Sequence, residues 1–160
     1  RDSKGNIAII AGSRQQTSHE KRIAGFEKYM EQEPDIHIEV EKSGYSNLRV
    51  SEQEMEEIQA NYPNLDGIMT TSAVTALGLA EATRGSGIAI ATLDDQEDAI
   101  RAVEEGRITV LGAQSGYEIG YETVKYIVND KKGIKQDREK IWDTQILTRE
   151  NVEDYQNLKK

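Results

Sequence analysis

The sequence predicts an α/β protein with a doubly wound, mostly parallel sheet and helices on both faces. Five short apolar runs alternate with stretches of helical periodicity along the 160 residues. Four of the helix starts carry a capping residue followed three positions later by Glu, and three of these closely follow a predicted strand. No repeat or low-complexity tract interrupts the alternation.

The elements follow in order. "NIAIIAG" (6–12) is the first strand, and "TSHEKRIAGF" (17–26) opens the first helix. Thr17 and Glu20 fit a capping box there, while Ile23, Phe26 and Met30 supply the apolar face. "IHIEV" (36–40) is the second strand; a longer loop, "EKSGYSNLRV", then leads to a helix with Ser51/Glu54 at its start and Met55 and Ile58 on its buried face. "DGIMTT" (66–71) is the third strand, and Val74, Leu77 and Glu81 mark a stripe on the helix after it. Gly85 and Gly87 close that helix and turn the chain into "GIAIATL" (87–93). Asp94/Glu97 start the fourth helix, which carries Ile100 and Val103. "RITVLGA" (107–113) precedes a fifth helix, capped by Ser115/Glu118 and lined by Tyr117, Tyr121, Val124 and Val128. The tail "KIWDTQILTRENVEDYQNLKK" suggests a last strand (141–147) and an acidic, polar end. One residue breaks the pattern: Arg22 sits near the positive end of the first helix's dipole, where carboxylates are preferred.

Composition bounds the function. The length suits one sizeable core. Twenty Lys and Arg against twenty-nine Asp and Glu give a formal charge of −9 and a pI near 4.8, which disfavours nucleic acid and anionic membranes. The most basic stretch, "NDKKGIKQDREK", is diluted by acids and reads as a solvated loop or helix end. Cysteine is absent, which excludes disulfides and thiolate metal sites. No apolar run is long enough to span a bilayer, and there is no Asn-x-Ser/Thr acceptor. The opening "RDSKGN" reads as the interior of a longer protein.

In an open parallel sheet, ligands bind outside the carboxyl ends of the strands. Here that edge consists of "SRQQTSHEKR", "SGYSNLR", "TTSAVT", "LDDQED" and "AQSGYE". It offers an Arg, a Tyr, hydroxyls, an Asp pair and a Gln. A catalytic or metal role for Asp94–Asp95 competes with a capping role for Asp94, and a lone His19 near a helix start reads as a surface residue. "AGSRQQTS" has no phosphate-loop glycine pattern. The set suits a small polyhydroxylated molecule: a guanidinium donates, a carboxylate accepts from adjacent hydroxyls, an amide does both, and an aromatic face covers C–H groups. Tyr45 as loop packing, Ser72 as a helix cap and Arg22 as the partner of a nearby acid are the plainer readings of the same residues.

"RIAGF" (22–26), "YPNLDGIMTTSAVTALGLAEA" and "ATLDDQEDAIRAVEEGRITVLGAQSGYEIGY" resemble the carboxy-terminal lobe of type I periplasmic binding proteins. The nearest pattern is that of the ribose- and galactose-type sugar-binding components of ABC transporters. The resemblance implies ligand-binding roles for Arg22, Tyr45, Asp94 and Gln114, and Ser72, at the same sheet edge, completes the candidate ligand-binding set. It also implies a lobe over residues 1–114, followed by a crossover helix, last strand and tail (115–160) that pack partly on an amino-terminal lobe. The implied function is binding of a sugar or polyol in a two-lobed cleft by hinge closure, without enzymatic activity, cofactor or metal. Its implied partner is an ABC permease or a membrane sensor kinase, with no nucleic acid contacted by this segment. The implied place is extracellular or periplasmic, with anchoring through the amino-terminal part. Ser72-Ala73 replaces the Asn-Asp of the ribose-type pattern, which leaves a different sugar, a modified sugar or an inositol open. The effector domain of a lactose-repressor-type regulator shares the fold and is the alternative; it would be cytoplasmic.

Overall fold

The computed structural model describes residues 4–158. Residues 1–3, the start of "RDSKGN", and 159–160, the end of the polar tail, lie outside the described residues. The elements run β1 (Gly5–Ala11), α1 (Thr17–Met30), β2 (Ile36–Ser43), α2 (Leu48–Asn61), β3 (Gly67–Thr70), α3 (Ala73–Ala82), β4 (Ala89–Leu93), α4 (Glu97–Glu104), β5 (Val110–Ala113), α5 (Gly116–Lys131), β6 (Gln145–Leu147) and α6 (Val152–Leu158). They form a six-stranded sheet of order β2-β1-β3-β4-β5-β6. Its first five strands are parallel and β6 is antiparallel to β5.

The handedness of the crossovers explains the layers. Parallel crossovers are right-handed, so the step from β1 to β2 in one direction puts α1 on one face. The later steps run the other way and put α2, α3 and α4 on the opposite face. Two buried clusters match this division. One joins Met55, Ile58, Leu79, Ile100, Val103 and Leu111; the other joins Ile9, Ala11, Ile23 and Met69, with Phe26 half-buried beside them. Central β1 is covered on both sides, which is why Ala8–Ala11 form an unbroken apolar run. Edge strand β2 instead alternates half-buried and exposed residues along most of its length.

Several local expectations are corrected. Of the four capping pairs, only Ser115 caps its helix, accepting from the Glu118 N–H at 3.2 Å. Thr17 is the first residue of α1, whose cap position is Gln16. Ser51 lies inside α2, which starts earlier under Asn47; the Asn47 carboxamide accepts from the Val50 N–H. Gln16 and Gln96 hold the cap positions of α1 and α4 without a side-chain cap bond, and Asp94 lies two residues before the cap position of α4. The stripe assigned to α3 was too narrow. Ala73, Thr75, Ala76, Gly78, Leu79 and Ala80 are all buried, because this helix is sandwiched between α2, α4 and the sheet. The last strand is confined to Gln145–Leu147. The supposedly polar end forms α6, whose Val152 and Tyr155 join the main core.

The apolar residues of α5 behave differently. This helix buries no residue; Tyr117, Tyr121, Val124, Ile127 and Val128 are all exposed. Tyr117 and Tyr121 stack on each other at 6.3 Å.

Helices α2 and α3 approach each other closely at Gly78, where a methyl group would meet the Leu48 carbonyl oxygen at 2.4 Å and Ser51 Cβ at 2.9 Å. Alanine is the better helix former by about 1 kcal/mol, but overpacking costs about 1–3 kcal/mol. Gly78→Ala therefore lowers the urea midpoint, with a net loss of about 1 kcal/mol; an unchanged or raised midpoint would mean that α2 and α3 separate freely.

Candidate functional site

The strand order reverses direction between β1 and β3, and open α/β sheets bind ligands in the crevice outside the carboxyl ends of the strands at such a switch point. Gly12 lies at its floor. A methyl group there would come within 2.6 Å of His19 Cε1, 2.7 Å of Ser72 Cβ and 2.8 Å of Ser46 Oγ. Three connections thus converge on one backbone position: the loop into α1, the β2–α2 loop and the β3–α3 junction.

Thr71, fully buried, ties the floor together. Its hydroxyl accepts from the Gly12 N–H at 2.8 Å and lies 2.6 Å from His19 Nδ1. Its carbonyl accepts from Arg22 Nη1 at 2.8 Å. Arg22 then reaches across to the end of β4, where Nη2 donates to Asp94 Oδ1 at 2.7 Å and Nη1 to Oδ2 at 3.2 Å. Asp94 sits at φ +77°, in the left-handed region that Asp tolerates better than most residues. The position of Arg22 near the start of α1 is explained by this bidentate pair, which offsets the unfavourable dipole.

The sequence placed Arg22, Tyr45, Ser72, Asp94 and Gln114 on one edge. The structure brings Arg22 and Asp94 into direct contact and sets buried Ser72 beside the same floor. Ser72 occupies the cap position of α3, but its hydroxyl makes no capping bond. Tyr45 is 67% exposed at the loop tip, with φ +52°, and Gln114 is exposed at the end of β5. Neither side chain makes a hydrogen bond among the described residues.

Two residues carry more than their sequence context indicated. His19 is not a surface residue; it is 6% exposed and bonded to Thr71. Burial and the nearby Arg22 guanidinium hold its pKa below the usual imidazole value, against the opposing pull of Asp94 and Glu20. The Asp94–Asp95 pair is split between two tasks. Asp94 meets Arg22, whereas Asp95 accepts from the Tyr155 hydroxyl of α6 at 2.6 Å. That division gives no geometry for a shared proton. No group of three or more His, Cys, Asp or Glu placed to hold a metal occurs among the described residues. No helix among them is long and apolar enough to cross a membrane. A hollow of about 670 Å³ beside α5, lined by Tyr126, Lys140 and Trp142, includes none of the five candidate residues.

Residues 1–135 match the family model described as a periplasmic binding protein domain. The chain belongs to this family. An ABC transporter periplasmic solute-binding protein from Actinobacillus succinogenes 130z, solved with bound D-allose, superposes with a TM-score of 0.91 at 21% identity, covering 96% of this chain and 56% of that one. A sugar-binding protein of a sugar ABC transporter from Bacillus halodurans gives 0.84 at 27% identity, over 96% and 58%. A further solute-binding protein, from Bacillus halodurans C-125 with bound myo-inositol, gives 0.87 at 22% identity, over 98% and 55%. The chain thus spans little more than half the length of these family structures. No curated protein matches it significantly.

The left-handed backbone at Asp94 inverts a common substitution order. Alanine normally stabilises relative to glycine by restricting the unfolded chain, but not at positive φ. Both Asp94→Gly and Asp94→Ala lose the ion pair, and Asp94→Ala is the less stable by about 1 kcal/mol in denaturant unfolding. The reverse order would show that φ at this position relaxes once the pair is gone.

Proposed function

We propose that this chain is one lobe of a solute-binding protein that holds an uncharged sugar or inositol against the Arg22–Asp94 pair. The observation that carries the reading is the pair itself. It presents N–H donors and carboxylate acceptors on one rim while its charges offset each other, which suits hydroxyls rather than an ionic ligand. Ser72 lies beside the same floor, and Tyr45 and Gln114, on loops at the same sheet edge, are exposed groups available to a bound ring. The family relatives support a polyol, since two of them were solved with D-allose and myo-inositol.

Residues 1–114 would form the ligand-binding lobe. Residues 115–160 would supply the crossover, with the exposed apolar residues of α5 packing on an amino-terminal lobe. Closure of two lobes would bury the ligand without chemistry on it, and an ABC permease outside the cytoplasm would receive it. If a complete cleft binds at micromolar Kd, half of that free energy leaves about millimolar affinity for one lobe.

Amide NMR titration with D-allose, D-galactose and myo-inositol tests this reading. Shifts for at least one polyol should cluster at Arg22, Ser72 and Asp94 with about millimolar Kd, and Arg22→Ala should abolish them. Shifts elsewhere, or an unchanged response in Arg22→Ala, would overturn the assignment.

A further inference from the structure

We infer that His19 and Thr71 are positioning residues for Arg22, and that protonation of His19 loosens the hold of the Thr71 carbonyl on the guanidinium and weakens ligand binding. The consequence for binding rests on the ligand reading above; the coupling to Arg22 does not.

The argument starts from the hydroxyl of Thr71. It is buried, it has one proton to give, and it already accepts from the Gly12 N–H. Giving that proton to His19 Nδ1, 2.6 Å away, uses its one donor and fixes a neutral imidazole with its proton on Nε2. The hydroxyl thereby holds the Thr71 backbone, whose carbonyl takes Arg22 Nη1 at 2.8 Å. The chain of contacts runs from imidazole to hydroxyl, through one residue's backbone, to guanidinium.

Protonation breaks this arrangement in two ways. A protonated ring has N–H on both nitrogens, so Nδ1 no longer accepts, and the Thr71 proton loses its partner in a buried place. The ring also becomes a cation on the same helix turn as Arg22. The charged groups acting on the ring are Arg22, which opposes protonation, and Asp94 and Glu20, which favour it. The β1 end, the β2–α2 loop and the β3–α3 junction bring Gly12, Ser46, Thr71 and Ser72 to the floor, none of them charged near neutral pH. Because the folded pKa lies below the unfolded one, the neutral ring's contribution is complete above the ordinary imidazole range and is lost as pH falls.

The test follows two sets of side-chain resonances by ¹⁵N NMR from about pH 7.5 to about pH 5, the imidazole nitrogens of His19 and the guanidinium N–H groups of Arg22. In the native chain His19 starts neutral with its proton on Nε2, and the Arg22 signals lose protection from exchange as the ring titrates. Thr71→Val should accelerate Arg22 exchange about tenfold at neutral pH, and Thr71→Ser, which keeps the hydroxyl, should restore it. His19→Asn, whose side-chain oxygen can accept but does not titrate, should remove the acid transition of Arg22. Should Thr71→Val fail to fold, the native titration and His19→Asn still decide. Arg22 signals indifferent to His19 titration, or an unchanged transition in His19→Asn, would overturn the inference. A parallel D-allose and myo-inositol titration at both pH limits should show affinity falling about tenfold on the acid side. Absence of binding at both limits would count against the ligand reading while leaving the Arg22 result to stand or fall on its own.

Discussion

The carboxyl edge of this sheet depends on one guanidinium. Arg22 is carried by α1, bonds the carbonyl that ends the third strand, and grips the carboxylate that ends the fourth. Three connections that share no secondary structure are thereby fixed relative to one another. The arrangement runs against local preference twice, through a cation near a helix start and a non-glycine residue at positive φ. Local strain of this kind persists where surrounding contacts over-determine it, and it clusters at functional sites. The topology supplies the setting: β1 and β3 are neighbours whose outgoing connections diverge, so the crevice between them has polar ends and a packed floor.

The rest of the molecule holds that edge rigid. Buried Ile9, Ala11, Ile23 and Met69 lock α1 onto the sheet, so the root of the Arg22 side chain cannot drift. On the other face, the larger cluster extends to Tyr155 of α6, which bonds Asp95, the neighbour of Asp94. The turn after β4 is therefore held from both sides, by Arg22 at one residue and by Tyr155 at the next. Helix α5 contributes no buried residue to this framework; its Tyr117, Tyr121, Val124, Ile127 and Val128 are exposed.

Much of the fold was legible because its signals are local. All five parallel strands are short apolar runs between helical stretches, and Ile23, Met55, Ile58, Ile100 and Val103 are buried where periodicity placed them. Helix caps were less legible, since Ser and Thr near a helix start have several uses. Ser51 donates to the Asn47 carbonyl within α2 instead of starting it. Helix α6 is hidden by its acidic composition, in which Val152 and Tyr155 are the buried residues among those whose burial is described. At the candidate site, the rule that ligands bind at the carboxyl edge places Arg22, Ser72 and Asp94 on one rim, where Arg22 and Asp94 pair and Ser72 lies beside Gly12. The pairing of His19 with Thr71 is not legible, because it spans 52 residues and a lone His near a helix start reads as a surface residue. The exposure of Tyr45 is not legible in sequence, because it follows from a loop tip at positive φ.

A double-mutant cycle on Arg22→Ala and Asp94→Ala, read by urea unfolding, tests the central claim most directly. The pair is partly shielded, with side-chain exposures of 18% and 36%, so its worth should exceed that of a typical surface pair. The account predicts a coupling free energy of about 1–2 kcal/mol between the two substitutions. Additive losses, with coupling near zero, would contradict it and leave the edge to be organised by backbone packing alone.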